Sequence, residues 1–115
     1  MKNIGEVTKK LIAFRDARDW KQFHNPKDLA ISLSLEAGEV LEHFQWKSEK
    51  EINKYIKENK DDIGEELADV FNYLLLLAHD LKINIIEVAY KKIEKNKAKY
   101  PIEKSKGKHT KYNKL

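Results

Sequence analysis

Leu35-Glu36-Ala37-Gly38-Glu39-Val40 and, thirty residues on, Glu65-Glu66-Leu67-Ala68-Asp69-Val70 decide how this chain folds. Each stretch carries two acids three positions apart among apolar residues. On an α-helix such positions share a face, so each pair projects two carboxylates one way, and two packed helices bring four together. Four neighbouring acids do not all stay ionised without a cation between them. Hard divalent ions such as Mg²⁺ prefer oxygen ligands, and a common task of protein-held Mg²⁺ is to grip phosphates.

Placed on a helical wheel at about 100° per residue, both stretches give the same picture. Leu29, Leu33, Val40 and Phe44 form an apolar stripe with Glu36 at its edge and Glu39 and His43 beside it. Ile63, Val70, Leu74, Leu77 and Leu81 form another, bordered by Glu66, Asp69 and Tyr73. Acids that only solvate a helix are expected on the far face, where Glu42 and Asn72 lie. Surface ion pairing is the competing reading, since acids three apart are common in Lys-rich chains. A di-iron carboxylate bundle expects Glu-x-x-His on two helices. None of the four acids is followed by His at three residues, although His43 lies four after Glu39, so iron is the weaker reading.

Outward from these stretches the chain reads as helices. Asn3 caps a first helix to about Arg18, with Ile4, Val7, Leu11 and Phe14 at helical intervals. Residues 19–25 break the period and read as a loop carrying Trp20, Phe23 and His24. Asn25-Pro26, a capping side chain followed by Pro at the first helical position, starts a second helix running to about Phe44. Ser48 restarts a short helix through about Lys57, and Asn59-Lys60-Asp61 reads as a break before a third long helix ending near Leu81. Asn84 caps a fourth, closed by Tyr100-Pro101 because the residue before Pro is pushed out of helical geometry. The expected architecture is all-α, a four-helix bundle-like protomer over residues 1–101. Residues 102–115 are expected to be a basic tail without regular structure, with Tyr112 and Leu115 as anchors.

Composition narrows the class. Of 115 residues, 41% are hydrophobic and 37% charged, with only four Gly and two Pro, which favours helices over the turns of a sheet protein. A chain this short is one domain and often depends on oligomerisation. The absence of Cys excludes disulfides and thiol catalysis and agrees with a cytoplasmic setting. No apolar run approaches a membrane span and the start lacks a signal-peptide core. The net charge of +4 hides an asymmetry: ten Lys against two Glu from Lys91 onward give +8 and leave −4 for the rest. Such a tail is a solvated end, a phosphate clamp or a nucleic-acid contact. It contains no Arg, which tilts against base-specific reading of nucleic acid.

Taken together, these features resemble a family. Arg18 to Pro26, Leu35 to Glu39, Phe44-Gln45-Trp46, Glu65 to Val70 with Tyr73, Asn96 to Pro101 and Lys111-Tyr112 are similar to the all-α nucleoside triphosphate pyrophosphohydrolases of the MazG-like group, most closely its dCTP pyrophosphatase branch. The resemblance covers almost the whole chain. It implies Mg²⁺-dependent hydrolysis of a nucleoside triphosphate, dCTP or a modified pyrimidine analogue, to the monophosphate and pyrophosphate, in a homodimer or homotetramer with no stable nucleic-acid partner. By position, Glu36, Glu39, Glu66 and Asp69 take the metal-ligand and catalytic roles; a carboxylate not fully engaged with metal would take the proton, and Glu39 is the one chosen although nothing in the sequence separates the four. Trp20, Lys21, Gln22, Phe23, His24 and Trp46 take the base and sugar pocket, and Tyr73 a substrate contact. Asn96, Lys99, Lys111 and Tyr112 become phosphate-side contacts. One departure is Leu11, where the eukaryotic dCTP enzymes carry a histidine. Outside the resemblance, a non-enzymatic helical interaction module and a nucleic-acid binder led by the Lys tail are the competing readings.

Overall fold

The computed structural model describes residues 1–115, which are helical and contain no strand. The chain forms two compact units, Met1–Lys82 and Ile83–Leu115.

In the first unit, α1 (Ile4–Ala17) opens where Asn3 Oδ1 accepts from the Glu6 N–H at 2.9 Å. A single 3₁₀ turn, Lys21–Phe23, occupies the expected loop. α2 (Pro26–Glu42) begins with Pro at its first position and with Asn25 Oδ1 accepting from the Asp28 N–H at 2.8 Å. It ends two residues earlier than the pattern suggests. The Leu41 carbonyl then accepts from both the Phe44 and Gln45 N–H groups, and Trp46 turns the chain with φ 67°. α3 (Glu49–Asp80) starts in a capping box in which Ser48 and Glu51 satisfy each other's backbone N–H groups.

The expected break at Asn59-Lys60-Asp61 is a kink rather than an interruption. Only Asn59 leaves helical geometry (φ −127°, ψ 25°), and its Nδ2 donates to the Tyr55 carbonyl at 3.0 Å, so the side chain bonds a backbone acceptor where the helix is distorted. α3 is therefore one 32-residue rod and the spine of the unit, packed by both α2 and α1.

The core comprises Leu29 at 1% exposure with Ile63, Leu75, Leu76 and Ala78. Leu29 and Ile63 belong to the predicted stripes; Leu33, Val40, Phe44, Val70, Leu74 and Leu77 are half-buried, whereas Leu81 is exposed. A single stripe fails on α3 because two helices pack against it, which buries Leu75, Leu76 and Ala78 as well. Ile31, Leu35, Leu67 and Phe71 remain exposed on α2 and α3.

In the second unit, α4 (Ile85–Lys99) is capped by Asn84 Oδ1, which accepts from the Glu87 N–H at 3.2 Å. The expected unstructured tail is corrected by a short helix, α5 (Ile102–Ser105), and a 3₁₀ turn over Tyr112–Lys114. Pro101, taken as a terminator, also starts a helix, its carbonyl accepting from the Lys104 and Ser105 N–H groups. Tyr112 packs edge-on against Tyr100 with ring centroids 6.1 Å apart. No helix is long and apolar enough to cross a membrane.

Candidate functional site

α2 presents Glu36 and Glu39 one turn apart, and α3, packed against it, presents Glu66 close to both. One carboxylate oxygen from each of the three lies within 4.8 Å of the others. Glu36 Oε2 and Glu66 Oε2 are both sealed from solvent without a hydrogen-bond partner. The salt bridges of the chain lie elsewhere, which disfavours surface ion pairing for these acids.

Electrostatics register the crowding. The Glu66 carboxyl is pushed up to about 7, first by the Glu39 carboxyl beside it, then by burial, then by the charges of Glu39, Asp69 and Glu36. Glu36 is raised by burial, then by Glu39 and by the charge of Asp69. Three convergent carboxylates with two orphaned oxygens form an all-oxygen donor set that fits a divalent cation. His43 is not part of it: its Nδ1 lies 2.6 Å from the Tyr55 hydroxyl.

Asp69, expected as the fourth member, lies outside the trio, although its charge reaches both Glu36 and Glu66. It lines a 510 Å³ cavity on the α1 side of α3. Val7, Leu11 and Phe14 of α1 supply one wall of that cavity, Tyr73 and Leu76 of α3 another, and Trp20 and His24 come from the intervening segment. Trp20 is held edge-on to Phe14 with centroids 5.7 Å apart, while the Arg18 guanidinium covers the Phe14 ring at 3.7 Å. A largely apolar, aromatic cavity beside carboxylates suits a planar group attached to an anion that needs a cation.

The structure therefore gathers Trp20, His24, Asp69 and Tyr73 in the cavity, and Glu36, Glu39 and Glu66 in the acidic cluster. Lys21, Gln22, Phe23 and Trp46 stand apart from both. Lys21 Nζ lies 3.4 Å from Asp80, and Gln22 donates to the carbonyl and carboxylate of Asp19. Phe23 is 64% and Trp46 92% exposed. Asn96, Lys99, Lys111 and Tyr112 belong to the second unit, where Lys99 Nζ sits 4.8 Å from the Tyr112 ring centroid.

Sequence reasoning missed a buried ion pair. Arg15, 3% exposed on α1, forks onto Asp80 near the end of α3 at 2.8 and 2.9 Å and also lines the cavity. The signal was available: Arg15 follows Leu11 by four on the apolar face of α1, and Asp80 follows Leu76 by four on α3, two opposite charges at core positions.

Residues 31–115 match the MazG-like family model. The chain is 38% identical over 104 residues to dCTP pyrophosphatase 1 of Rattus norvegicus and 34% identical to that of Homo sapiens. Each match covers 89% of this chain but only 61% of the relative, so the chain spans less than two thirds of their length. A crystallised pyrophosphatase from Archaeoglobus fulgidus DSM 4304 superposes with a TM-score of 0.83 at 43% identity, over 88% of this chain and 94% of that one.

Proposed function

We propose that this chain, which belongs to the MazG-like family, is a Mg²⁺-dependent pyrophosphohydrolase that converts a nucleoside triphosphate to the monophosphate and pyrophosphate. The observation that carries this reading is the convergence of Glu36, Glu39 and Glu66, linked through Asp69 to an aromatic-walled cavity large enough for a base and sugar. The dCTP pyrophosphatases and the archaeal pyrophosphatase that the chain resembles support the same chemistry. dCTP or a modified pyrimidine analogue is the proposed substrate.

Glu36, Glu39, Glu66 and Asp69 would hold the metal. Bound Mg²⁺ supplies positive charge against the triphosphate oxygens and Lewis acidity at the reacting anhydride. The residues do the rest. Water adds across the α–β anhydride, the bond to pyrophosphate breaks, and one proton passes to a carboxylate. Glu39 is the proposed acceptor because it is the exposed member of the trio, whereas Glu36 and Glu66 each have one oxygen sealed. Trp20 and Tyr73 would flank the base and sugar in the cavity, with Leu11 making its wall apolar. Trp46, Phe23, Lys21 and Gln22 remain proposed substrate contacts, and Asn96, Lys99, Lys111 and Tyr112 proposed phosphate contacts. A homodimer or homotetramer would cover the exposed Ile31, Leu35, Leu67 and Phe71. The proposed setting is cytoplasmic.

Measuring pyrophosphate release from the common and modified nucleoside triphosphates with Mg²⁺ tests this directly. Glu36→Gln and Asp69→Asn are expected to abolish release while the circular dichroism stays helical, because an amide keeps the shape and loses the charge. Near-normal turnover in either variant would remove that residue from the metal site.

A further inference from the structure

The helical wheel puts Asn72 on the face of α3 opposite its apolar stripe, yet the side chain is half-buried and lines the cavity, because α1 packs on that side of α3. Asn72 lies outside the stretches that carry the family resemblance. Its amide takes part in none of the chain's side-chain hydrogen bonds. The other polar side chains of the lining are committed or one-sided. Arg15 spends both terminal nitrogens on Asp80, and Arg15 Nε and His24 Nδ1 are sealed from solvent. Lys10 only donates, Tyr73 offers a single hydroxyl, and Asp69 adds its charge to the acidic cluster. Asn72 is thus the lining side chain that holds a donor and an acceptor side by side, both free.

Its place suits the base end of a nucleotide. Glu66 precedes it by six residues, about 9 Å along α3 and about 120° around it, so a ligand anchored by its phosphates at the acidic cluster would carry its base toward Asn72. We infer that Asn72 is a specificity-determining residue, one that pairs with the edge of the base and accepts 4-amino and 4-oxo pyrimidines alike. The inference rests on the proposed function in taking the ligand to be a pyrimidine nucleotide. Cytosine presents an amino donor beside the ring acceptor N3, whereas uracil and thymine present the carbonyl acceptor O4 beside an N3–H donor. The two edges are one donor–acceptor pair in opposite order. A carboxamide meets either order by turning half a revolution about χ2, and with neither end bonded within the chain nothing holds Asn72 in one orientation. Discrimination arises when the wrong base leaves a buried polar group unpaired, and a freely turning amide leaves none. Uracil and thymine nucleotides therefore join those of cytosine in the substrate class.

Calorimetric binding of dCMP, dUMP and 2-deoxyribose 5-phosphate to the intact protein with Mg²⁺ tests this without turnover. In the wild type, the Kd values for dCMP and dUMP are expected to agree within about threefold. Asn72→Leu should weaken both by about tenfold, the loss of a hydrogen-bonded pair, and leave the base-free sugar phosphate unchanged. The KM values for dCTP and dUTP should rise by the same factor with kcat little changed. A wild-type preference above about tenfold for either monophosphate, or failure to bind either one, overturns the inference whether or not the variant folds. So does an Asn72→Leu protein that binds both as tightly as the wild type. Equal weakening of all three ligands would make Asn72 structural and also defeats it. If the wild type released no pyrophosphate from any nucleotide, the proposed function would fail while the monophosphate affinities still decided the role of Asn72.

Discussion

Breaking the Arg15–Asp80 pair is expected to be among the most destabilising single changes available in this chain, although replacing both partners is not. Asp80→Leu leaves a guanidinium that is 3% exposed with no counter-charge, after both of its bonds to the carboxylate, 2.8 and 2.9 Å long, are lost. Removing one partner of such a pair costs about 3–5 kcal/mol. For a chain of 115 residues, an unfolding entropy of about 2.1 cal/mol/K per residue makes 1 kcal/mol equal to about 4 °C, so Tm should fall by about 12–20 °C. Arg15→Met should cost a similar amount. The double variant Arg15→Met/Asp80→Leu should return to within about 1 kcal/mol of wild type, since apolar groups of similar volume need no counter-ion. Lys21, which also reaches Asp80, is 57% exposed, so Lys21→Met should cost under about 1 kcal/mol. The pH dependence has a definite sign. The hydrogen bonds from Arg15 hold the Asp80 carboxyl below the usual range. Its stabilisation is therefore present above the unfolded carboxylate pKa and is lost as pH falls through the depressed folded value. Urea and thermal unfolding of the three variants form a double-mutant cycle. Additive single effects, or singles costing under about 1 kcal/mol, would refute the reasoning.

The metal-free protein should lose stability as pH rises from the ordinary Glu value of 4.5 toward the folded Glu66 value of about 7, because there the folded state binds more protons than the unfolded one. Mg²⁺ should reverse the loss at pH 7–8 and Glu66→Gln should flatten it; a melting temperature indifferent to both pH and Mg²⁺ would contradict the cluster. Trp20→Ala should raise KM for nucleotides roughly 5- to 150-fold, the range spanned by base–aromatic stacking, and leave inorganic triphosphate nearly unaffected. Equal losses on both substrates in steady-state assays would make Trp20 structural. Leu29→Ala, at 1% exposure the most buried side chain, should cost about 2–5 kcal/mol in urea denaturation with the helical spectrum retained.

How much of this was legible follows from the range over which each signal acts. Asn3, Asn25, Ser48 and Asn84 all cap as expected, because a cap is decided within four residues. The kink at Asn59 was visible as a polar interruption, but its depth depends on whether the helix re-forms at once, which the packed residues beyond it decide. Trp46 is a pocket residue by the resemblance; its exposure in this chain, at the turn that ends α2 where φ is positive, is set by local backbone geometry that the sequence pattern did not show. Arg15 and Asp80 are 65 positions apart: helical phase with Leu11 and Leu76 marks each as a core position, but their pairing is decided only by the packing of α1 on α3.

The displacement of Asp69 from the acidic trio has a geometric cause that the spacing contains. Three residues along a helix turn the wheel by about 300°, which is 60° short of a full circle. With Glu66 facing α2, Asp69 is therefore swung away, and Tyr73, Leu76 and Asp80 stay within about 40° of it on the wheel. That second strip meets α1, where Arg15 pairs with Asp80 and where Asp69, Tyr73 and Leu76 line the cavity. Two acids on one turn of α3 consequently face different helices, Glu66 toward the carboxylates of α2 and Asp69 toward the cavity. The 60° offset therefore places Asp69 where the acidic cluster and the cavity meet.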